Sequence, residues 1–169
     1  MSNKNILETM SRDDLLRYID VLSKNILTID GFYFLAIEKR YGLETAIEID
    51  KESWEKYAVT EAKRIKELLN ITDGSLEDLQ RAIQLVAFAP VSAMETAIKD
   101  GKLTVAITKC RPQYARTRDG KGEFPCKPVG LAHLSVFAKE VCPKIKTKCV
   151  CAPPDRHPKE YYCSWNFFF

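Results

Sequence analysis

All six cysteines of the chain lie between residues 110 and 163, and the first 109 residues contain none. Both histidines, His133 and His157, fall in the same window. A buried thiol behaves as a small hydrophobe, whereas an ionised thiol is a soft metal ligand or a nucleophile. Packing alone would also place cysteines in the N-terminal half, which has many apolar positions. The clustering therefore indicates a thiol site in the C-terminal half.

Metal binding is the first chemistry that these residues predict. Cys149 and Cys151 are two residues apart, so a strand would place both thiols on one face. A partner strand and a loop would then supply the remaining sulfur and nitrogen ligands of a zinc site or an iron–sulfur cluster. The candidate ligands are Cys110, Cys126, Cys149, Cys151, His157 and Cys163.

Nucleophilic catalysis by Cys126 is the alternative chemistry. Cys126 precedes a predicted helix and adjoins Lys127, and both features stabilise a thiolate. His157 would be the base of such a hydrolase, and Arg116, Arg118 and Lys127 would form its anion-binding site. A third interpretation is a binding or scaffolding domain whose reduced thiols are mostly buried. The residues alone leave all three interpretations open.

The first residues predict the compartment in which these thiols work. They contain no continuous apolar core and no small-residue cleavage site, so we expect a cytoplasmic protein without a secretory signal. Reducing cytosol keeps thiols free, and a framework of three disulfides is therefore not expected. No run of about 18 apolar residues occurs, so we expect no membrane partner.

The charge is distributed unevenly along the chain. The net charge of +3 combines −5 over residues 1–100 with +8 over residues 101–169. A positive field attracts anions, so we expect a basic pocket and a small anionic molecule as partner. Nucleic acid is a weaker expectation, because Lys144, Lys146 and Lys148 fit the solvated edge of a sheet. A homodimer through an apolar helix face is a further candidate assembly.

Helices are predicted over the first 90 residues. Ser11 and Asp14 form a capping box for the first helix, Gly31 is expected to break or kink it, and Gly42 ends it. A second helix is predicted over residues 43–69, and Ser75 begins a third helix that ends by residue 90. The first helix has an apolar stripe, expected in the core, formed by Leu15, Ile19, Leu22, Ile26 and Ile29.

The remaining residues predict a small sheet. Asp100-Gly101 between the alternating runs 94–98 and 103–107 indicates a hairpin. Residues 111–125 are predicted as an ordered loop with a short turn of helix, and a helix follows Cys126 up to Cys142. Residues 144–151 and 161–169 are predicted strands on either side of a proline-rich loop.

The predicted fold is therefore α+β, with an N-terminal helical layer packed on a small antiparallel sheet built from two hairpins with an intervening helix. We expect one domain over residues 1–169, with a helical part at 1–90 and a cysteine-rich strand part at 91–169. The helical half is expected to supply the core, and the strand half is expected to position the thiols.

Several stretches resemble an uncharacterised cytosolic family of anaerobic bacteria and archaea. These stretches are Asp30-Gly31-Phe32-Tyr33-Phe34, Lys39-Arg40-Tyr41-Gly42, Phe124-Pro125-Cys126-Lys127, Pro153-Pro154-Asp155 with His157-Pro158, and Tyr162-Cys163-Ser164-Trp165. More distantly, the order of elements and the pair Cys163 and Phe167 in the last strand are similar to aminothiazoline-carboxylate hydrolases and 4-vinyl reductase domains. The resemblance implies a pocket between helices and sheet, and the hydrolase likeness implies a small carboxylate-bearing heterocycle as substrate.

Overall fold

The computed structural model describes the backbone of residues 3–169 and the side chains from residue 5 onward. Over these residues the chain forms six α-helices, a short 3₁₀ turn and four strands. In chain order they are α1 (Asn3–Thr9), α2 (Arg12–Tyr41), α3 (Leu43–Leu69), α4 (Leu76–Ile83), the turn Ala89–Val91, β1 (Ala93–Lys99), β2 (Lys102–Lys109), α5 (Arg111–Arg118), α6 (Lys127–Val141), β3 (Lys146–Cys151) and β4 (Cys163–Phe168). This is the predicted α+β fold.

The ends of the N-terminal helices follow the predicted capping residues. The Ser11 side chain accepts a hydrogen bond from the backbone N–H of Asp14, 3.1 Å away, and Ser75 begins α4 with a complete capping box. Gly42, at a φ of +88°, separates α2 from α3. Gly31 does not interrupt α2, which is one continuous helix of 30 residues. α4 ends at Ile83, earlier than predicted, because turns fill the chain before Pro90.

The apolar stripe of α2 is not in the core, contrary to the prediction. Ile19, Leu22, Ile26 and Ile29 are 41–54% exposed. Other positions of α2 carry its buried side chains, Ser23, Leu27 and Phe34, and Phe34 packs against the ring of Phe124. The helix is therefore apolar on more than one side, and one apolar side has no partner within the described part of the chain.

The four strands form one antiparallel sheet in the order β1-β2-β4-β3. Asp100 and Gly101 both have positive φ in the tight turn between β1 and β2, as the hairpin signal predicts. The second hairpin, β3 with β4, contains a bulge between Cys149 and Cys151. β3 is an edge strand, and its exposed Lys146 and Lys148 discourage pairing with another sheet.

One hydrophobic core joins the helices to the sheet. α6 packs on β3, α4 packs on β1 and β2, and α3 makes its most extensive contact with α6. The inward face of the sheet contributes Trp165 and Phe167, which are almost fully buried. α6 approaches the sheet closely at Gly130, where an added Cβ would lie 2.9 Å from the Trp165 ring. In the described residues, no helix has the length and apolarity to cross a membrane.

Candidate functional site

A cavity of about 150 Å³ lies between the sheet and helices α2, α3, α5 and α6. Cys110, Cys126 and Cys163 line it, and so does His133. Most of the remaining wall is apolar and aromatic, with Trp54, Phe88, Met94, Val105, Ile107, Phe124 and Trp165 among the lining residues. We call this space the thiol cavity. It is the pocket between helices and sheet that the sequence resemblance implied.

Three different elements position the three thiols. Cys110 is the residue before α5, because β2 ends there and Pro112 suits the first turn of a helix. Cys126 is the residue before α6, again followed by a proline, Pro128, in the first turn. Cys163 begins β4 opposite Ile107 of β2, on the inward face of the sheet. Residues more than 50 positions apart therefore meet at one cavity.

Burial keeps these thiols neutral. Burial, with a smaller contribution from the nearby Cys110, raises the pKa of Cys126 to about 12. Burial likewise raises the pKa of Cys163 to about 12 and raises the pKa of Cys110. Cys149, on the neighbouring strand β3, has a pKa raised to about 11, again mainly by burial. The positive net charge of this half of the chain does not produce thiolates at neutral pH.

A neighbouring residue nevertheless opposes this increase at each cavity thiol. The buried Gln113 side chain donates to Cys126 Sγ at 3.3 Å, and the Gln113 backbone N–H lowers the pKa of Cys110. The side chain of Trp165 lowers the pKa of Cys163. Gln113 is itself held by Phe124, whose carbonyl accepts from its amide at 2.7 Å and whose N–H donates to it at 2.8 Å. These contacts therefore hold the Cys126 sulfur against Gln113.

His133, which lines the cavity, is bonded to a buried carboxylate behind it. His133 Nε2 is 2.8 Å from Glu61 Oε2, and both side chains are almost fully buried. Glu61 also accepts hydrogen bonds from the Tyr57 hydroxyl and the Ala87 N–H. The His133 ring packs edge-on against Trp54 at 5.2 Å between centroids. His133 and Glu61 were not among the predicted site residues, although both occupy buried positions of α6 and α3 whose other buried side chains are mainly apolar.

A second, open depression of about 330 Å³ adjoins the thiol cavity between α2 and α5. We call it the basic groove, because Arg111, Arg116, Arg118 and Lys121 line it. The two spaces share five lining residues, which are Leu27, Asp30, Asp50, Pro112 and Phe124. Within residues 5–169, no lysine or arginine lines the thiol cavity itself.

The predicted anion-binding side chains are already paired with carboxylates. Arg116 makes two hydrogen bonds to Glu38, at 2.8 and 3.0 Å, and holds the pKa of that carboxyl below its usual range. Arg118 pairs with Asp119, and Lys127 pairs with Asp155, each at 2.8 Å. The three side chains do not converge on one empty site.

The other predicted site residues lie outside the thiol cavity. His157, in the loop between β3 and β4, hydrogen-bonds Glu123 and the Pro158 carbonyl at 2.9 Å each. The Pro158 contact is the main cause of a raised pKa for His157. Cys151 is buried after the bulge in β3, and Cys149 lies near Lys127 and Asp155. The structure thus brings together three of the six predicted metal ligands, Cys110, Cys126 and Cys163.

The predicted metal site is not preformed. Over the described residues, no three side chains of histidine, cysteine, aspartate or glutamate lie close enough together to hold a metal ion. The cavity thiols would have to move toward one another and lose their protons to bind one.

Two carboxylates stand where the thiol cavity meets the basic groove. Asp30 on α2 and Asp50 on α3 line both spaces. The Trp54 indole N–H donates to Asp30 Oδ1 at 3.2 Å. Burial and the proximity of Asp30 raise the pKa of Asp50 to about 7, and burial also raises the pKa of Asp30. The sequence signal for this pair was Asp50 itself, an aspartate at a buried helix position between Ala46 and Trp54.

Comparison with known proteins identifies a family but no activity. The model of a family of unknown function (DUF6125) matches residues 8–169. No curated protein and no solved structure matches the chain.

Proposed function

The chain belongs to a family of unknown function (DUF6125), and we propose from the cavity itself that the protein binds a small, largely apolar molecule in the thiol cavity. The observation behind the proposal is a concave, aromatic-walled space in which a few polar groups converge from separate elements. Sites for small molecules have this composition. A cavity of about 150 Å³ accommodates a molecule about the size of benzene.

The thiols suit a ligand-binding role better than a hydrolytic one. A cysteine nucleophile needs a lowered pKa or an adjacent base, whereas the pKa of Cys126 is raised to about 12. His157, the expected base, is engaged with Glu123, and Arg116 is engaged with Glu38. These contacts give no support to the reaction that the resemblance to aminothiazoline-carboxylate hydrolases implied. A neutral thiol is polarisable and packs well against an aromatic or sulfur-containing ligand.

Titration of isotope-labelled protein with benzyl alcohol tests the proposal. We expect saturable chemical-shift changes that centre on the backbone amides of Cys110, Cys126 and Cys163. Cys163→Met should abolish them, because the longer side chain fills the cavity. Val150→Met is the matched control, since Val150 lies on the neighbouring strand and is 49% exposed. Unsaturable shifts, or shifts unchanged in Cys163→Met, would contradict the proposal.

A soft metal ion is the second candidate ligand. Its specific support is the neighbouring residue that lowers the pKa of each cavity thiol, because such contacts stabilise metal-bound thiolates. Zinc, or an iron–sulfur cluster, would replace the thiol protons at Cys110, Cys126 and Cys163. Calorimetric titration of reduced protein with Zn²⁺ tests this candidate. Each Cys→Ser change at these positions should weaken binding at least tenfold, whereas Cys151→Ser should not. Equal affinity in all four variants would exclude a zinc site in the cavity.

For the assembly, we propose a homodimer through the exposed stripe of α2. Leu15, Ile19, Leu22, Ile26 and Ile29 alternate at spacings of four and three residues, which is the seam pattern of a coiled coil. The stripe would be buried by the same stripe of a second copy, since a twofold interface uses one surface twice. Within the described chain these side chains stay exposed: Ile19, Leu22, Ile26 and Ile29.

A further inference from the structure

Asp50 is a buried carboxylate and Asp30 a half-buried one, and neither has a matching positive charge. Asp50 is 9% exposed and forms no ion pair, and neither does Asp30, among the described side chains. An ionised carboxylate away from water is costly unless it is paired or well hydrogen-bonded. The two side chains come from different helices, α2 and α3, so chain continuity does not force them together.

Hydrogen bonding does not compensate for this burial. Two carboxylates offer four oxygens, each able to accept hydrogen bonds. The indole N–H of Trp54 is the donor available to them: it lies 3.2 Å from Asp30 Oδ1 and lowers the pKa of both groups. Asp50 has no hydrogen bond of its own under 3.5 Å in the described chain. A nine-tenths buried acceptor therefore faces the two spaces that it lines.

Arg116, Lys121 and Arg118, which line the groove beside the pair, are bound to other carboxylates. On α5 and the loop after it, Arg116 and Lys121 contact Glu38, and Arg118 contacts Asp119. Arg111 is exposed, and no lysine or arginine is among the groups that shift the pKa of Asp30 or Asp50. On the α6 side, His133 is bonded to Glu61, and the three cavity thiols are neutral.

We infer that the ligand of the thiol cavity carries a positively charged nitrogen, which Asp30 and Asp50 bind at the junction with the basic groove. The inference rests on the proposed function, because it specifies the chemical class of the same ligand. The ligand would be a small ring or branched alkyl group bearing an ammonium or amidinium group. Its apolar part would contact the cavity wall, and its charged part would reach the carboxylates and the indole of Trp54, a good cation–π partner.

The protonation of Asp50 gives the binding a characteristic pH dependence. With a pKa of about 7, Asp50 holds a proton in much of the free protein at neutral pH. A cationic ligand must displace that proton. Its affinity should therefore increase as the pH rises through 7, whereas the affinity of a neutral ligand of the same shape should not.

Benzylamine and benzyl alcohol are a matched pair of probes for this subsite. Both have one ring and one polar group, and benzylamine stays protonated from pH 5.5 to 8. At pH 8 we expect benzylamine to bind at least tenfold more tightly than benzyl alcohol. Asp50→Asn and Asp30→Asn should each remove this preference by weakening benzylamine far more than benzyl alcohol, which should still bind. Glu52→Gln, on the exposed side of α3, is the control and should retain the preference.

The possible outcomes separate the inference from the proposed function. Equal affinities of the two probes for the native protein would overturn the inference and leave a neutral-ligand cavity. A preference for benzylamine that survives in both Asn variants would also overturn it. Binding of neither probe would reject the proposed function, and the inference with it. Because asparagine has nearly the shape of aspartate and carries no charge, the variants should fold, and binding of benzyl alcohol confirms in each case that the cavity is intact.

Discussion

Burial changes the pKa values of single residues in the thiol cavity relative to their values in water. Cys126 and Cys163 become weaker acids, and so does Asp50, whose pKa is raised to about 7. For each group the loss of hydration exceeds the opposing effect of neighbouring side chains. The site therefore presents neutral sulfurs and a carboxyl group, Asp50, that is partly protonated at neutral pH, not the thiolates that clustered cysteines and a basic half of the chain suggested.

Asp50 should make the stability of the protein depend on pH. Its pKa is raised above the unfolded value, so its ionisation opposes folding as the pH rises from about 4 to about 7. Asp50→Asn should therefore stabilise the protein at pH 8, on the order of 2–4 kcal/mol, with little effect at pH 4. Urea denaturation at both pH values measures this difference. An equal effect at both pH values would mean that Asp50 does not titrate in this range.

His133 should matter for stability far more than His157. His133→Ala removes the partner of Glu61 and leaves a buried carboxylate and a void, a loss of about 3–5 kcal/mol. His157→Ala removes contacts of a loop residue with Glu123 and Pro158 and should cost under about 1 kcal/mol. Denaturation curves of the two variants under the same conditions provide the comparison. Similar losses would show that the His133–Glu61 contact is not a buried pair in solution.

At the scale of elements, turn chemistry and capping residues predicted most of the fold. The Asp100-Gly101 hairpin, Ser11 and Ser75 as helix starts, and Cys126 before α6 all act through local backbone preferences. What local signals could not predict is which helix face meets which neighbour. α2 has apolar side chains on several faces, and only tertiary packing selects the face with Leu27 and Phe34.

The candidate site was only partly predictable, because its assembly also depends on tertiary packing. The clustering of cysteines indicated which half of the chain holds the thiols, and all three cavity thiols were among the predicted ligands. It did not predict that His133 lines the cavity and His157 does not, because this depends on which loop and which helix pack around the cavity. Asp30, Asp50 and Glu61 belong to the acidic half, and their position at the cavity follows from the packing of α2 and α3 against the strand half.

The contact between α6 and the turn before α4 should be sensitive to a single methyl group. Gly74 and Gly120 both have a φ of +63° to +72°, but only at Gly74 would an added Cβ meet the Val141 backbone. Gly120→Ala should cost about 1–2 kcal/mol for its backbone conformation alone. Gly74→Ala should cost at least about 2 kcal/mol more, because backbone atoms cannot yield easily. Thermal denaturation of both variants measures the difference, and equal losses would exclude the close approach.

At the scale of the whole molecule, the exposed stripe of α2 predicts self-association. Leu22→Asp with Ile26→Asp should convert a dimer into a monomer, because it places charges in the centre of the proposed seam. Leu68→Asp, at a 70% exposed position on α3, is the matched control and should not. Sedimentation equilibrium gives the masses directly. A native protein that is monomeric at high micromolar concentration would reject the dimer.

The cavity forms because the fold packs helices from the acidic half of the chain against strands from the basic half. Cys163 of β4, Cys126 before α6 and Asp50 of α3 meet only when both halves are packed together. A ligand that fits this space should therefore stabilise the complete fold and not one half of it.

The most direct test of the cavity as a binding site is a crystal structure of the protein with benzyl alcohol. We predict one ordered ring between Cys110, Cys126 and Cys163, in contact with Trp165. A cavity that stays empty at a saturating concentration, or that closes so that the three sulfurs no longer share a space, would contradict this account.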